Sequence, residues 1–157
     1  MAIDFNKVPR YITNEIDPPA KIISKGTKNK TVKRIQEWLN YHQCRTGIDG
    51  DYGPATEACV EDFQGMKRIR KTGKVDKTTW NALVKPLRNA LTAPKGIKTM
   101  SDSEAVLAVA NQHVEQHPYE IGKANGGPWV RLYCEGNDGP PWAWCAGFVT
   151  MILQQAY

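Results

Sequence analysis

The chain has 157 residues, 41% of them hydrophobic and 24% charged, a globular composition that excludes disorder and leaves room for one large or two small domains. A net charge of +5 favours an anionic partner without choosing among nucleic acid, a membrane surface and an acidic polymer. No run is apolar enough to span a bilayer, and the opening Met1-Ala2-Ile3-Asp4-Phe5-Asn6 lacks the basic and apolar stretches of a secretory signal. Cys44, Cys59, Cys134 and Cys145 show no close pairing that would hold zinc, and in a chain without a visible export signal free thiols are expected rather than disulfides. No metal and no cofactor is implied.

Residues 1–26 carry Pro9, Pro18, Pro19 and Gly26 with no sustained period, and read as an extended arm packed on the module that follows. A helix is predicted from Lys30 to His42, where Val32, Ile35 and Leu39 share a face with Trp38 beside them. The run Gly47-Ile48-Asp49-Gly50-Asp51-Tyr52-Gly53 is a turn-rich loop. Pro54 suits the first position of the next helix, where its missing N–H costs nothing. That helix is expected to run to Met66 with Ala55, Cys59, Phe63 and Met66 inward. A third begins at the N-cap Asp76 and buries Trp80, Leu83 and Val84. Thr46-Gly47-Ile48-Asp49 and Thr72-Gly73-Lys74-Val75-Asp76 form an internal repeat, each a tight turn, a β-branched anchor and an acidic residue near a helix start. Capping is the expected role of both aspartates.

Pro86, Pro94 and Gly96 mark a linker over residues 89–100. Ser101 and Glu104 are spaced as a capping box for a helix that carries Val106, Val109, Ala110 and Val114 and ends before Pro118. Gly122 to Pro141 reads as an irregular loop, and a last helix runs from Cys145 to Ala156.

The run Val32-Lys33-Arg34-Ile35-Gln36-Glu37-Trp38-Leu39-Asn40, the loop Gly47 to Thr56, the following Val60, Phe63 and Gln64, and the pair Thr72 to Asp76 and Thr79 to Leu83 together resemble the peptidoglycan-binding domain found at the ends of many cell-wall hydrolases. The resemblance implies a three-helix bundle over residues 27–88 with a shallow groove for glycan or stem peptide, and peptidoglycan as partner. Candidate binding residues are Gly50, Asp51, Tyr52, Gly53, Thr56 and Gln64. Gly50 and Gly53 are expected to open backbone conformations and expose N–H groups that suit a carboxylate. Tyr52 either offers its ring to ligand or plugs the core. Thr56 and Gln64 either bond ligand or hold neighbouring backbone, while Trp38 and Trp80 are core. Gln43 and Cys44 depart from the family pattern, as does the basic run Lys67 to Lys71, which is either a solvated face or an attraction for anionic wall polymer. Basic charge alone, with no recognition-helix motif, does not make a nucleic-acid binder.

The second resemblance is narrower. Pro141-Trp142-Ala143-Trp144-Cys145-Ala146-Gly147-Phe148-Val149, led in by Glu120-Ile121-Gly122 and Asn125-Gly126-Gly127-Pro128-Trp129, resembles the nucleophile segment of CHAP-type cysteine amidases and endopeptidases. It implies Cys145 as catalytic nucleophile at a helix start, where the macrodipole favours thiolate, with Trp142 and Trp144 walling a cleft. In that family the base lies downstream, so residues 101–157 are expected to be the N-terminal part of an incomplete α+β papain-like domain. His113 and His117 lie upstream, with surface or helix-end roles the plainer expectation. The expected whole is mainly α: a binding module of a cell-wall lytic amidase or endopeptidase with its catalytic domain truncated, or else a non-catalytic wall-binding protein with a degenerate second domain. It would act at the bacterial cell wall, cytosolic before release or exported by an unidentified route.

Overall fold

The computed structural model describes residues 8–157. Among them are eight α-helices: α1 (Arg10–Ile16), α2 (Lys30–Tyr41), α3 (Pro54–Met66), α4 (Lys77–Leu83), α5 (Lys85–Leu91), α6 (Asp102–Val114), α7 (Pro128–Tyr133) and α8 (Cys145–Ala156), with one 3-10 turn at Ile97–Thr99. The described chain divides into two compact units, one over residues 16–85 and the other over residues 8–15 and 86–157.

The first unit packs α2 against both α3 and α4. Val32, Ile35, Trp38 and Leu39 from α2 are buried with Val60 and Phe63 from α3 and Trp80 and Leu83 from α4. The local signals for these helices hold. Pro54 opens α3, and Asp76 accepts from the Thr79 N–H at 2.8 Å; α2 is capped by Asn29, not singled out in the sequence, whose side chain accepts from the Val32 N–H at 3.0 Å. The chain before α2 is tied in by a short antiparallel bridge between Ile23 and Val75 and by the Trp80 indole, which donates to the Ile16 carbonyl at 3.0 Å. The inward face of α3 differs from the expected one. Ala55 and Met66 are exposed, and Thr56 and Gln64 are buried with Val60 and Phe63. A hydrophobicity pattern cannot find an inward stripe that contains two polar residues.

In the second unit, Ile97, Ala105, Val109 and Ile152 form a small core closed by Phe148 and Met100. The Ser101 N–H and hydroxyl both donate to Glu104 Oε2, at 2.8 and 2.6 Å, which fixes the start of α6. The segment expected to be an extended arm packed on the binding module contains α1, and its residues 8–15 belong to this unit instead. Glu15, 2% exposed, accepts from Arg131 at 2.8 and 3.1 Å, and Arg131 also reaches Asp138 at 2.9 Å. Residues 1–7 of that arm lie outside the described residues. The loop expected over residues 122–141 is interrupted by α7, whose apolar run Trp129-Val130 with Leu132-Tyr133 is buried. Among the described residues, 101–157 contain α6, α7 and α8 and no strand, so the α+β character expected of this segment has no counterpart in them.

Helix α8 approaches α7 at Gly147. A Cβ built there would lie 2.1 Å from the Tyr133 carbonyl oxygen, and backbone cannot yield as a flexible side chain does. Gly147→Ala is therefore expected to destabilise this unit by about 1–3 kcal/mol or more, read as a lower unfolding midpoint in near-UV circular dichroism. An unchanged midpoint would contradict the close approach.

Candidate functional site

One hydrogen-bonding device occurs twice in this unit, in a register that differs from the repeat read in the sequence: it matches Asp49-Gly50-Asp51, not Thr46-Gly47, with Thr72-Gly73-Lys74. On α2, the buried Gln36 amide nitrogen lies 2.8 Å from Asp49 Oδ1, 3.0 Å from the Asp51 carbonyl and 3.2 Å from Thr56 Oγ1, while its oxygen accepts from the Gly50 N–H at 2.8 Å. On α3, the buried Gln64 amide nitrogen lies 3.1 Å from Thr72 Oγ1, 2.9 Å from the Lys74 carbonyl and 3.0 Å from Thr79 Oγ1. Its oxygen accepts from the N–H groups of Thr72 and Gly73, at 2.7 and 3.1 Å. Each glutamine thus grips the loop after its helix and a threonine in the first turn of the next helix. Gly50 and Gly73 occupy matching places, at φ of +80° and +62°, a region that favours glycine. Tyr52 joins the two devices, because its hydroxyl donates to the Gly73 carbonyl at 2.9 Å.

These contacts correct four of the expected binding roles. Tyr52 is fully buried, so its ring has no face for ligand, and burial raises its phenol above the ordinary range. Thr56 and Gln64, 2% and 1% exposed, hold the scaffold rather than face solvent. Gly53 sits at φ −86°, which any residue adopts, and a Cβ there would meet nothing within 4 Å. The loop N–H groups expected to greet a carboxylate are also engaged. Gly50 donates to Gln36, Asp51 to Asp49 Oδ1 at 2.9 Å, Tyr52 to the Thr27 carbonyl at 2.9 Å and Gly53 to the Asp51 carbonyl at 2.9 Å. Asp49 is not a helix cap, unlike Asp76. It receives the Gln36 amide and the Asp51 N–H, and these bonds, the backbone one first, hold its carboxyl below the ordinary range.

The loop remains beside an open surface. Asn29 donates its N–H to the Gly50 carbonyl at 3.0 Å, and Lys28 and Asp51 form an antiparallel bridge, with the Lys28 ammonium 2.7 Å from Asp51 Oδ2. Lys28, Asn29, Lys30, Lys33, Asp49 and Gly50 line a shallow depression of about 360 Å³. Of the expected binding residues, Gly50 lines it and Asp51 stands next to it; the lysines were not singled out by the sequence.

Residues 28–83 match the family model of a peptidoglycan binding domain. That span, about a third of the chain, begins at the lysine-lined depression and ends with α4, so it contains both glutamine devices and the loops they hold. No curated protein and no solved structure matches the chain.

Cys145 is exposed and is the first residue of α8. Trp144, expected to wall a cleft, instead stacks on Tyr133 at 5.6 Å and 6°, and its indole donates to Glu120 Oε1 at 3.0 Å. A groove of about 300 Å³ between Tyr133, Glu135, Asn137, Trp142, Gly147 and Thr150 does not include Cys145. His113 is fully buried, with Nδ1 3.0 Å from the Tyr133 hydroxyl and Nε2 against the Gln155 amide, and burial lowers its imidazole below the ordinary range. Both ring nitrogens are thereby committed within the core. Among the described residues no hydrogen bond joins Cys145 to a histidine.

Two predictions follow from the first unit. Gln36→Leu would leave the half-buried Gly50 N–H and Asp51 carbonyl without their partner, at up to about 1–3 kcal/mol for each group that water does not reach. Urea unfolding of this variant should show a loss of that order, and a change below half a kcal/mol would contradict the clamp. The second prediction concerns His42, whose Nε2 donates to the Leu83 carbonyl at 2.8 Å beside the Phe63 ring. Burial, aided by Lys67 and opposed by the bond to Leu83, lowers this imidazole from 6.5 to about 4. The unfolded chain therefore takes up a proton that the folded chain refuses. Stability from the neutral ring is full above the unfolded value, falls as pH drops through the window, and is gone below the folded value. The difference amounts to about 3 kcal/mol. Wild type should lose more stability than His42→Gln between neutral and mildly acid pH, and equal losses would contradict the assignment.

Proposed function

We propose that the unit containing residues 28–83 holds this chain on bacterial peptidoglycan, so that it acts at the cell wall. The observation that carries the reading is the family match, which falls on the two clamped loops and the open depression beside the first of them. A rigid loop suits recognition of a polymer, since little side-chain or backbone freedom is left to lose on binding. No helix among the described residues is long and apolar enough to cross a membrane.

A second reading makes the other unit hydrolytic, with Cys145 as the nucleophile of a cysteine amidase or endopeptidase. Its support is an exposed thiol at the start of a 12-residue helix, together with the resemblance of residues 141–149. A thiolate also needs a proton donor for the leaving amine, and such help is worth about 10²–10⁴-fold. The one buried histidine of this unit is committed to Tyr133 and Gln155. The chain is therefore expected to bind wall without cleaving it.

Purified sacculi test both parts. The 157-residue chain should co-sediment with sacculi at low salt, and a chain left wholly in the supernatant would defeat the binding proposal. The suspension should keep its turbidity and release no new amines. Clearing that disappears in Cys145→Ser would establish the hydrolytic reading instead.

A further inference from the structure

The two glutamine devices share a scaffold but not a surface. Gly50 lies over Asn29 and Lys33, whose backbone oxygen and Cβ would be 3.2 and 3.9 Å from a Cβ built on it. Gly73 lies over Glu57 and Glu61 in the same way, with Glu57 Cγ at 3.0 Å and Glu61 Oε1 at 3.1 Å. Residues 29 and 33 stand seven and three before Gln36, just as residues 57 and 61 stand before Gln64. Lys33 and Glu61 are therefore equivalent positions, and the scaffold accepts either charge. Lysine at position 33 is not a requirement of folding.

Around Lys33 the charges are mixed in a particular way. Lys28 is paired with Asp51. Lys30 and Lys33 form no ion pair among the described residues, although both line the depression. Asp49 stands on the same wall, its carboxylate fixed by Gln36 and the Asp51 N–H. A cavity with two uncommitted ammonium groups and one oriented carboxylate matches a ligand that carries both charges. A uniformly anionic polymer would meet Asp49 and Asp51 as well as the lysines.

We propose that this depression binds the stem peptide of peptidoglycan, with Lys30 and Lys33 taking a peptide carboxylate and Asp49 taking an amine of the same peptide. The inference rests on the wall-binding reading and adds the part of the wall that is recognised. Because the backbone N–H groups of the loop are engaged internally, side-chain charge supplies the recognition, and binding should weaken with salt.

The test is co-sedimentation of the full chain and two charge-matched variants with sacculi. Lys33→Glu installs the residue type found at the equivalent place, and Lys74→Glu makes the same change in the second clamped loop. Unfolding midpoints establish that both variants remain folded. The expected result is about a tenfold or greater loss of affinity in Lys33→Glu, with Lys74→Glu close to wild type. If Lys33→Glu proves unfolded, Lys30→Gln with Lys33→Gln replaces it. Wild-type binding should persist on sacculi stripped of covalently attached anionic polymer and should collapse on glycan strands from which an amidase has removed the stem peptides. Equal losses in the two glutamate variants, or wild-type binding that follows the anionic polymer instead of the peptides, would overturn the inference. If wild type binds sacculi and Lys33→Glu binds as well, this inference fails while wall binding stands. If wild type fails to bind intact sacculi, both fail.

Discussion

A primary amide buried on a helix must find partners for two N–H groups and a carbonyl oxygen, or cost more than an apolar residue of the same size. Gln36 and Gln64 meet that demand with the loop that follows their own helix and with a threonine hydroxyl on the next one. Each glutamine therefore couples three pieces of chain that are distant in sequence. The loops over residues 46–53 and 72–76 each bury one large side chain, Tyr52 and Val75, and the amides hold the polar backbone around those anchors. Tyr52 then links the first loop to the second through the Gly73 carbonyl, so the two devices brace each other.

The brace determines what the surface offers. The loop N–H groups are engaged, so recognition passes to side chains at the rim. At that rim the repeat is broken: lysines line the first device, whereas Glu57 and Glu61 pack under Gly73 in the second, with Glu57 bonded to Lys25 at 3.2 Å. A shared scaffold with opposite charge at one matching position, Lys33 against Glu61, separates the part that folds the module from the part that distinguishes one face from the other. Salt-bridge energy is not what holds the rim, since exposed pairs such as Lys28 with Asp51 are worth little.

Much of this was legible in the sequence because it rests on local chemistry. Pro54, Asp76 and the Ser101–Glu104 pair act on backbone within a turn of themselves, and the helices they start lie where the sequence put them. A repeat was visible too, but in a register that set Gly47 against Gly73 where the structure sets Gly50, and the glutamines that do the holding lie outside it. Gln36 reads as an ordinary polar helix residue, and Gln64 as one that bonds either ligand or neighbouring backbone, until the loops folded onto them are seen. The same long-range contacts explain Tyr52, whose burial depends on Gly73, 21 residues away. Helix α1 escaped notice because it is short, and its anchor is the pairing of Glu15 with Arg131 across 116 positions. Lys30 and Lys33 were not singled out in the sequence, and only the fold of the loop over them makes a depression there.

The account claims that one of two equivalent devices carries the ligand. Its most direct measurement is the set of backbone amide shifts of the 15N-labelled chain titrated with a soluble stem peptide released from peptidoglycan. The account predicts shifts concentrated at residues 28–33 and 49–51, with residues 72–76 and the second unit unmoved. Shifts centred on residues 72–76, or none at peptide concentrations that compete the chain off sacculi, would contradict it.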